Sequence, residues 1–421
     1  MKVTPSTPAA HETSEYDVCV LGLGYVGLPT AAVLATVGRR VAGVDLRRDV
    51  LDTINAGRIH IVEPELDALV RAAVMAGSLR GFAEPVPART YLICVPTPIT
   101  TDHLPDHLPD LRHVEAAAHA LVPVLRPGCL VVLESTVPPG TLRDLVAPIV
   151  TRSGLVPGRD VFLAHAPERV LPGNVIREVV ENERIVGGLT DACTARCAEF
   201  YEGFARGQVH RCSAEVAELT KLSENAFRDV NIAFANELAN VCARLGLDVW
   251  EVIRLANRHP RVQILRPGPG VGGHCIAVDP WFIAASAPQD TPLITAARRV
   301  NDERPTRVLE QVRQLASRLR RPKIACLGLA YKPDIDDLRE SPALQIARAL
   351  AAPGDVDLML VEPHLQRSPI DGAPLVTLEH ALACADILVI LVAHRQFRHL
   401  RPDQLLRLMV VDTVGLLSVR S

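Results

Sequence analysis

The sequence predicts an α/β protein in which two Rossmann-like domains are joined by a long central helix and a helical middle domain. Three observations carry this. A short apolar strand at Tyr16–Leu21 runs straight into Gly22-Leu23-Gly24-Tyr25-Val26-Gly27, a G-x-G-x-x-G turn that opens a helix-compatible run. From Ser213 the apolar residues switch to helical spacing and hold it to Leu245. From Lys323 a second series of strand-length apolar runs alternates with helical ones, with Gly328 but without the full glycine fingerprint.

The chain has 421 residues, more than one ordinary domain holds. The expected division is a tail at 1–15, a dinucleotide-binding domain at 16–210, a helical and dimerisation domain at 211–318, and a second nucleotide-type domain at 319–421. With 48% hydrophobic residues the chain can bury sizeable cores, and a net charge of −3 gives it no general attraction to nucleic acid or to acidic membrane. The ten cysteines form no CxxC pair, and Cys193 and Cys197 lack partners at zinc spacing, so no metal is expected and a reducing compartment is. Residues 1–15 lack an apolar signal core, and no apolar run is long enough to span a bilayer. The expected location is the cytoplasm.

In the fingerprint, Gly22 makes the turn, Gly24 lets backbone approach a pyrophosphate, and Gly27 lets helix and sheet close up. A second strand at 40–44 ends at Asp45, where a carboxylate can take both ribose hydroxyls and repel a 2′-phosphate. The cofactor read from these residues is NAD, with Arg47 and Arg48 the nearby residues that speak for NADP. Strand-like runs at 90–95 and 130–134 end in Pro96-Thr97-Pro98 and Ser135-Thr136-Val137-Pro138, loops expected to line the cofactor crevice. The repeat at 101–111 looks like a surface lid or a surface decoration, and its prolines argue against a helix that would pair His103 and His107 on a metal. Strands follow at 161–164 and Arg184–Gly188. Between them Glu168 is either an acid/base or the partner of Arg169 in a surface ion pair.

The long helix opens with Ser213 as N-cap and stops at Gly246. Lys221 and Asn225 lie on one face, while Glu218 three residues before the lysine fits a solvated ion pair. A helix at 249–257 precedes His259-Pro260-Arg261-Val262. The arginine-rich helix at 291–320 reads as a solvated face. Strands are then expected at Lys323–Leu327, Asp357–Val361, 387–391 and 408–412, with a helix at 341–350.

The stretch 266–281, RPGPGVGGHCIAVDPW, belongs to no helix or strand. It can present backbone N–H groups to substrate oxygens and hold the Cys275 thiol in a pocket, or it can be a structural loop around a buried cysteine. With a nicotinamide in the same protein, an alcohol can be oxidised to an aldehyde, captured by a thiolate, oxidised again to a thioester and hydrolysed to an acid. Lys221 and Asn225 would favour the oxyanion, and Asp279 or Glu168 would manage water and protons. A one-step alcohol dehydrogenase with an inert Cys275 uses the same parts.

The chain resembles the UDP-glucose/GDP-mannose dehydrogenase family from about residue 16 almost to its end. The resemblance rests on GLGYVGLP from Gly22, VPTP at 95–98, STVPPG at 135–140, ERVLPG at 168–173, the Glu218/Lys221/Asn225 helix, PGPGVGGHCIAVDP at 267–280 and GLAYKPDIDDLRESP at 328–342. It implies a four-electron, NAD-dependent oxidation of a nucleotide sugar's C6 alcohol. Cys275 would be the nucleophile, Lys221, Asn225 and Asp279 its assistants, and Thr136 and Glu168 the groups around the reacting carbon. The cofactor would lie on Gly22, Gly24, Tyr25, Val26, Gly27, Asp45, Pro96, Thr97 and Thr136. The UDP-sugar would lie on Glu168, Arg169, Lys221, Asn225, Gly272, Lys332 and Arg339, with Arg261 reaching a neighbouring subunit's site. The long helix would form the core of a homodimer. Within the family, residues 259–262 and the loop look most like the branch acting on UDP-N-acetyl-D-mannosamine, with UDP-N-acetyl-D-glucosamine and UDP-glucose as alternatives. His274 would shape the loop.

Overall fold

A computed structural model describes residues 15–61, 63–100, 107–170, 173–273 and 275–418. Residues 1–14 of the tail, His103 and His274 therefore lie outside the described residues. The chain divides into two compact units, one ending at Leu222 and the other beginning at Ser223.

The first unit is built on an eight-stranded sheet: β1 (Tyr16–Leu21), β2 (Val41–Val44), β3 (Leu79–Phe82), β4 (Ala88–Ile93), β5 (Leu130–Leu133), β6 (Phe162–His165), β7 (Arg184–Gly188) and β8 (Val209–Ser213). Their order is β3-β2-β1-β4-β5-β6-β7-β8. Pairing is parallel from β3 to β6, antiparallel between β6 and β7, and parallel again between β7 and β8. The first six strands have the doubly wound order of a dinucleotide-binding fold, with its switch point between β1 and β4. Their apolar runs are continuous because both sheet faces are covered: all four residues of β2 and of β5 are buried. Strands β3 and β8 went unpredicted. Both are edge strands with alternating or mostly exposed residues, so neither carries a continuous apolar run.

The long helix spans Ala214–Leu245, with the Ser213 hydroxyl accepting from Val216 N at 3.4 Å and Gly246 in the left-handed region at φ 70°. The helix divides between the two units. In the second unit it is followed by helices Val249–Ala256, Asp279–Ser286 and Pro292–Ala316. A four-stranded parallel sheet completes that unit: β9 (Lys323–Leu327), β10 (Asp357–Val361), β11 (Ile387–Ile390) and β12 (Met409–Asp412), in the order β10-β9-β11-β12. Helix Pro342–Ala351 packs its buried Ala343, Ile346, Ala347 and Leu350 on this sheet.

The arginine-rich helix is not merely a solvated face. Arg298 is buried and its Nη1 lies 2.6 Å from the buried Asp229 carboxylate, because a guanidinium enters a core when a charge and hydrogen-bond partners wait there. No helix among the described residues is long and apolar enough to cross a membrane.

Candidate active site

The first set of functional side chains stands at the carboxyl ends of the parallel strands. Gly22 follows β1 at φ 90°, and a Cβ there would come within 2.6 Å of the Cys94 carbonyl. A Cβ on Gly27 would collide with the Gly22 carbonyl, whereas one on Gly24 would meet nothing within 4 Å. The turn is thus packed shut on the protein side and open at Gly24, the geometry a pyrophosphate needs. Tyr25 beside it is exposed and Val26 half-buried. At the end of β2, Asp45 accepts from Leu23 N at 3.1 Å and Arg47 N at 2.9 Å, which aims its carboxylate at the glycine turn. These residues fit NAD. Two further loops are stitched together: Thr97 Oγ1 donates to the Thr136 carbonyl at 2.7 Å, and Ser135 Oγ to the Val95 carbonyl at 2.7 Å. Pro96 is exposed between them.

Glu168, after β6, is buried. Its ion pair runs to Arg184 of β7, Nη1 to Oε2 at 3.0 Å, and the predicted surface pair with Arg169 does not form. Arg169 offers Glu168 its backbone N–H at 2.8 Å, and its guanidinium goes to the Glu183 carbonyl. Burial decides this outcome, since a buried carboxylate needs a buried cation. Behind the pair, Glu134 takes hydrogen bonds from Tyr201 OH and Cys94 Sγ, and Arg184 stacks 4.8 Å from the Tyr201 ring. Burial, aided by the neighbouring Glu168, pushes the Glu134 carboxyl above its ordinary range, against Arg184 and the two hydrogen bonds. Sequence reasoning missed Glu134, Arg184 and Tyr201. Glu134 and Arg184 leave one sequence signal, a charged residue directly after or inside an apolar strand, whereas Tyr201, on helix Asp191–Glu202, leaves none.

Glu218 is also elsewhere than expected. It is buried and accepts from Gly140 N at 2.6 Å and Leu142 N at 2.9 Å, so it caps the helical segment after the Thr136 loop and makes no ion pair with Lys221. Burial raises its carboxyl to about 7, against the pull of the two backbone donors. Lys221, one turn on, is half-buried.

The second set lies in the second unit. Asn225 Nδ2 donates to Asp279 Oδ2 at 2.6 Å, both residues being buried. Asp279 N in turn donates to the Cys275 carbonyl at 2.8 Å. The ten cysteines are thiols, none in a disulfide; six are buried, three are half-buried and Cys275 alone is exposed. The reading of this loop as a structural turn around a core cysteine is therefore overturned. Gly272 is pressed against the Glu340 carbonyl, and a Cβ there would lie 2.8 Å from Pro342 and 3.0 Å from Tyr331. The loop thus rests on the segment that carries Lys332, half-buried, and Arg339, whose guanidinium forks onto Asp337 at 2.9 and 2.6 Å. Arg261 is exposed and makes no ion pair among the described residues.

Three family models match this chain in order, and all describe one family. They are the NAD binding domain of the UDP-glucose/GDP-mannose dehydrogenase family at residues 16–205, its central domain at 215–303 and its UDP binding domain at 325–419. The chain belongs to this family. With membership comes a four-electron, NAD-dependent oxidation of a UDP-sugar C6 alcohol to the uronic acid. The NDP-N-acetyl-D-galactosaminuronic acid dehydrogenase of Ralstonia solanacearum is 52% identical, over 96% of each chain. The UDP-N-acetyl-D-mannosamine dehydrogenase of Escherichia coli K12 is 49% identical over 94% of this chain and 98% of its own. The solved UDP-D-ManNAc dehydrogenase of Pyrococcus horikoshii is 36% identical, superposes with a TM-score of 0.86, and covers 95% of this chain and 96% of its own. The resemblance to the mannosamine branch is thus matched by one at slightly higher identity to a galactosaminuronate enzyme.

Proposed function

We propose that the protein oxidises UDP-N-acetyl-D-mannosamine at C6 to UDP-N-acetyl-D-mannosaminuronate, with Cys275 carrying the sugar between the two oxidations. The observation that bears most weight is the exposed Cys275 thiol, set one turn from the buried Asn225–Asp279 pair. NAD, when bound, supplies the hydride acceptor for each oxidation. The Cys275 thiolate adds to the C6 aldehyde carbon to form a thiohemiacetal. Loss of a hydride leaves a thioester, and water attack then breaks the C–S bond, releasing carboxylate and thiol. Lys221 and the second amide hydrogen of Asn225 stabilise the oxyanion. Asp279 holds the proton balance at the thiol, while Glu168 and Thr136 orient water at the reacting carbon. Arg169, Gly272, Lys332 and Arg339 hold the UDP-sugar, and Arg261 serves a neighbouring subunit.

The sugar assignment is supported by the names of the similar enzymes of Escherichia coli and Pyrococcus horikoshii. The Ralstonia relative favours a second reading, UDP-N-acetyl-D-galactosamine, and both sugars share the 2-acetamido group. Initial rates with UDP-N-acetylmannosamine, UDP-N-acetylgalactosamine, UDP-N-acetylglucosamine and UDP-glucose discriminate them, because one misplaced hydroxyl or a lost amide contact is worth about 1–3 kcal/mol in kcat/KM. The mannosamine sugar is expected to lead. A lead for galactosamine replaces the sugar and keeps the chemistry, and no turnover of any of the four refutes the proposal.

A homodimer is part of this reading. Phe227, Phe234 and Val241 recur every seven residues on the long helix and are 70%, 54% and 47% exposed, an apolar stripe of the kind that seats a second helix. Light scattering after size exclusion is expected to give twice the chain mass. A monomer at micromolar concentration would remove this part of the proposal.

A further inference from the structure

The long helix has a polar face that the chemistry above only partly uses. Asn225, Asp229, Asn236 and Asn240 are spaced by four, seven and four residues, which puts them along one side of the helix. Asn225, Asp229 and Asn236 are buried, so each must find partners on the element it faces.

Asn236 does so at the start of the nucleophile loop. Its Oδ1 accepts from Gly268 N at 2.9 Å, and its Nδ2 donates to Asn301 Oδ1 at 2.9 Å. Asn301 donates to the Asp229 carbonyl at 3.0 Å and carboxylate at 2.8 Å, and Arg298 closes the far end on the same carboxylate. Arg304 Nε donates to the Gly268 carbonyl at 3.0 Å, and its Nη1 to Asn240 Oδ1. Both hydrogen-bonding groups of Gly268 are therefore held, the N–H by one helix and the C=O by another. Eleven residues on, Asp279 is held by Asn225 of the same helix face. Cys275 lies on the span between these anchors. Within the span a Cβ on Gly270 would lie 3.1 Å from Pro305 and 2.9 Å from Pro342, which leaves the loop little slack.

We propose that Asn236 and Arg304 are positioning residues for Cys275, fixing the N-terminal end of its loop as Asn225 fixes the C-terminal end. The proposal rests on the reading of Cys275 as the nucleophile. Neither residue needs to touch the reacting atoms; both act through the Gly268 peptide. Displacing a reacting group by about 1 Å costs on the order of 100-fold in rate without requiring weaker substrate binding.

The test uses the full-length enzyme with UDP-N-acetylmannosamine and NAD, and the variants Asn236→Ala, Asn236→Asp, Arg304→Gln and Arg304→Lys. Asn236→Ala and Arg304→Gln are expected to lower kcat by roughly 100-fold with KM for the sugar changed by less than about threefold. Amide hydrogen exchange in peptides covering 266–273 should accelerate while β9 to β12 keep their protection. Asn236→Asp keeps the acceptor for Gly268 N and should recover kcat to within about tenfold; Arg304→Lys should fall between wild type and Arg304→Gln. Unchanged kcat, unchanged exchange at 266–273, or exchange that rises throughout the unit would each overturn the proposal. If Asn236→Ala is insoluble, the Arg304 pair supplies the same readings. Cys275→Ser in the same series separates the two claims: continued uronate formation removes the nucleophile reading, whereas loop exchange reports on the Gly268 anchor alone.

Discussion

Arg184→Gln tests the charge cluster behind the cofactor loops. Arg184 is 4% exposed, Glu168 8% and Glu134 2%, so the substitution leaves two buried carboxylates with no buried cation beside them. Breaking a buried ion pair by removing one partner costs about 3–5 kcal/mol. The Val179 carbonyl also loses its donor, Nη2 at 3.0 Å, although glutamine can replace part of that bond. For a unit of this size each kcal/mol lowers Tm by about 2–4 °C, so a fall of roughly 6–20 °C is expected. The loss should depend on pH. Burial already raises the Glu134 carboxyl, and Arg184 is a group that pulls it down; with the guanidinium gone Glu134 titrates higher still in the folded protein than in the unfolded chain, so the folded state binds more protons across the interval between those pKa values. Stability there falls as pH rises, and the deficit relative to wild type should be smallest near pH 5 and largest near pH 8. Thermal unfolding followed by circular dichroism across that range measures it. A loss below about 1 kcal/mol, or a deficit that grows toward acid, would refute the reasoning.

Two more predictions follow from the loops. The Glu218 carboxyl, raised to about 7, holds a proton in the folded state that the unfolded chain gives up near its ordinary value, so its contribution to stability declines as pH climbs from about 4.5 through 7. Glu218→Gln should flatten that part of the Tm–pH curve, and an unaltered slope would show that another group sets it. Gly272→Ala forces a Cβ against the Glu340 carbonyl, Pro342 and Tyr331. A drop in kcat of about 10-fold or more is expected with NAD affinity intact, and wild-type kcat in a soluble Gly272→Ala protein would contradict the packing argument.

Much of this was legible in the sequence where single residues declare their backbone. Gly22 can be read from the letters alone as the glycine that makes the turn, as can the glycines of the Cys275 loop as points of tight bend and close approach; the neighbours that crowd them, Cys94 at Gly22 and Tyr331 and Pro342 at Gly272, are known only from the structure. Asp45 was found by its distance from the turn. Partners far apart in sequence were not. The helix-spacing rule pairs Glu218 with Lys221, an interaction worth a few tenths of a kcal/mol, but Gly140 N and Leu142 N, buried 78 and 76 residues away, need an acceptor worth more. Glu168 chose Arg184 over its neighbour Arg169 for the same reason. The polar face at Asn225, Asp229, Asn236 and Asn240 does leave a periodic trace. The stronger apolar periodicity of the same helix masks it. Edge strands β3 and β8 left no run to read.

The central claim is that one thiol carries a sugar through two successive oxidations. Its most direct measurement is the NADH formed per UDP-N-acetylmannosamine consumed, with sugar limiting, for wild type and Cys275→Ser. The account predicts about two NADH and one uronate for wild type, and no uronate from the variant, because the thioester cannot form. About one NADH with accumulating aldehyde from wild type, or undiminished uronate from Cys275→Ser, would contradict it.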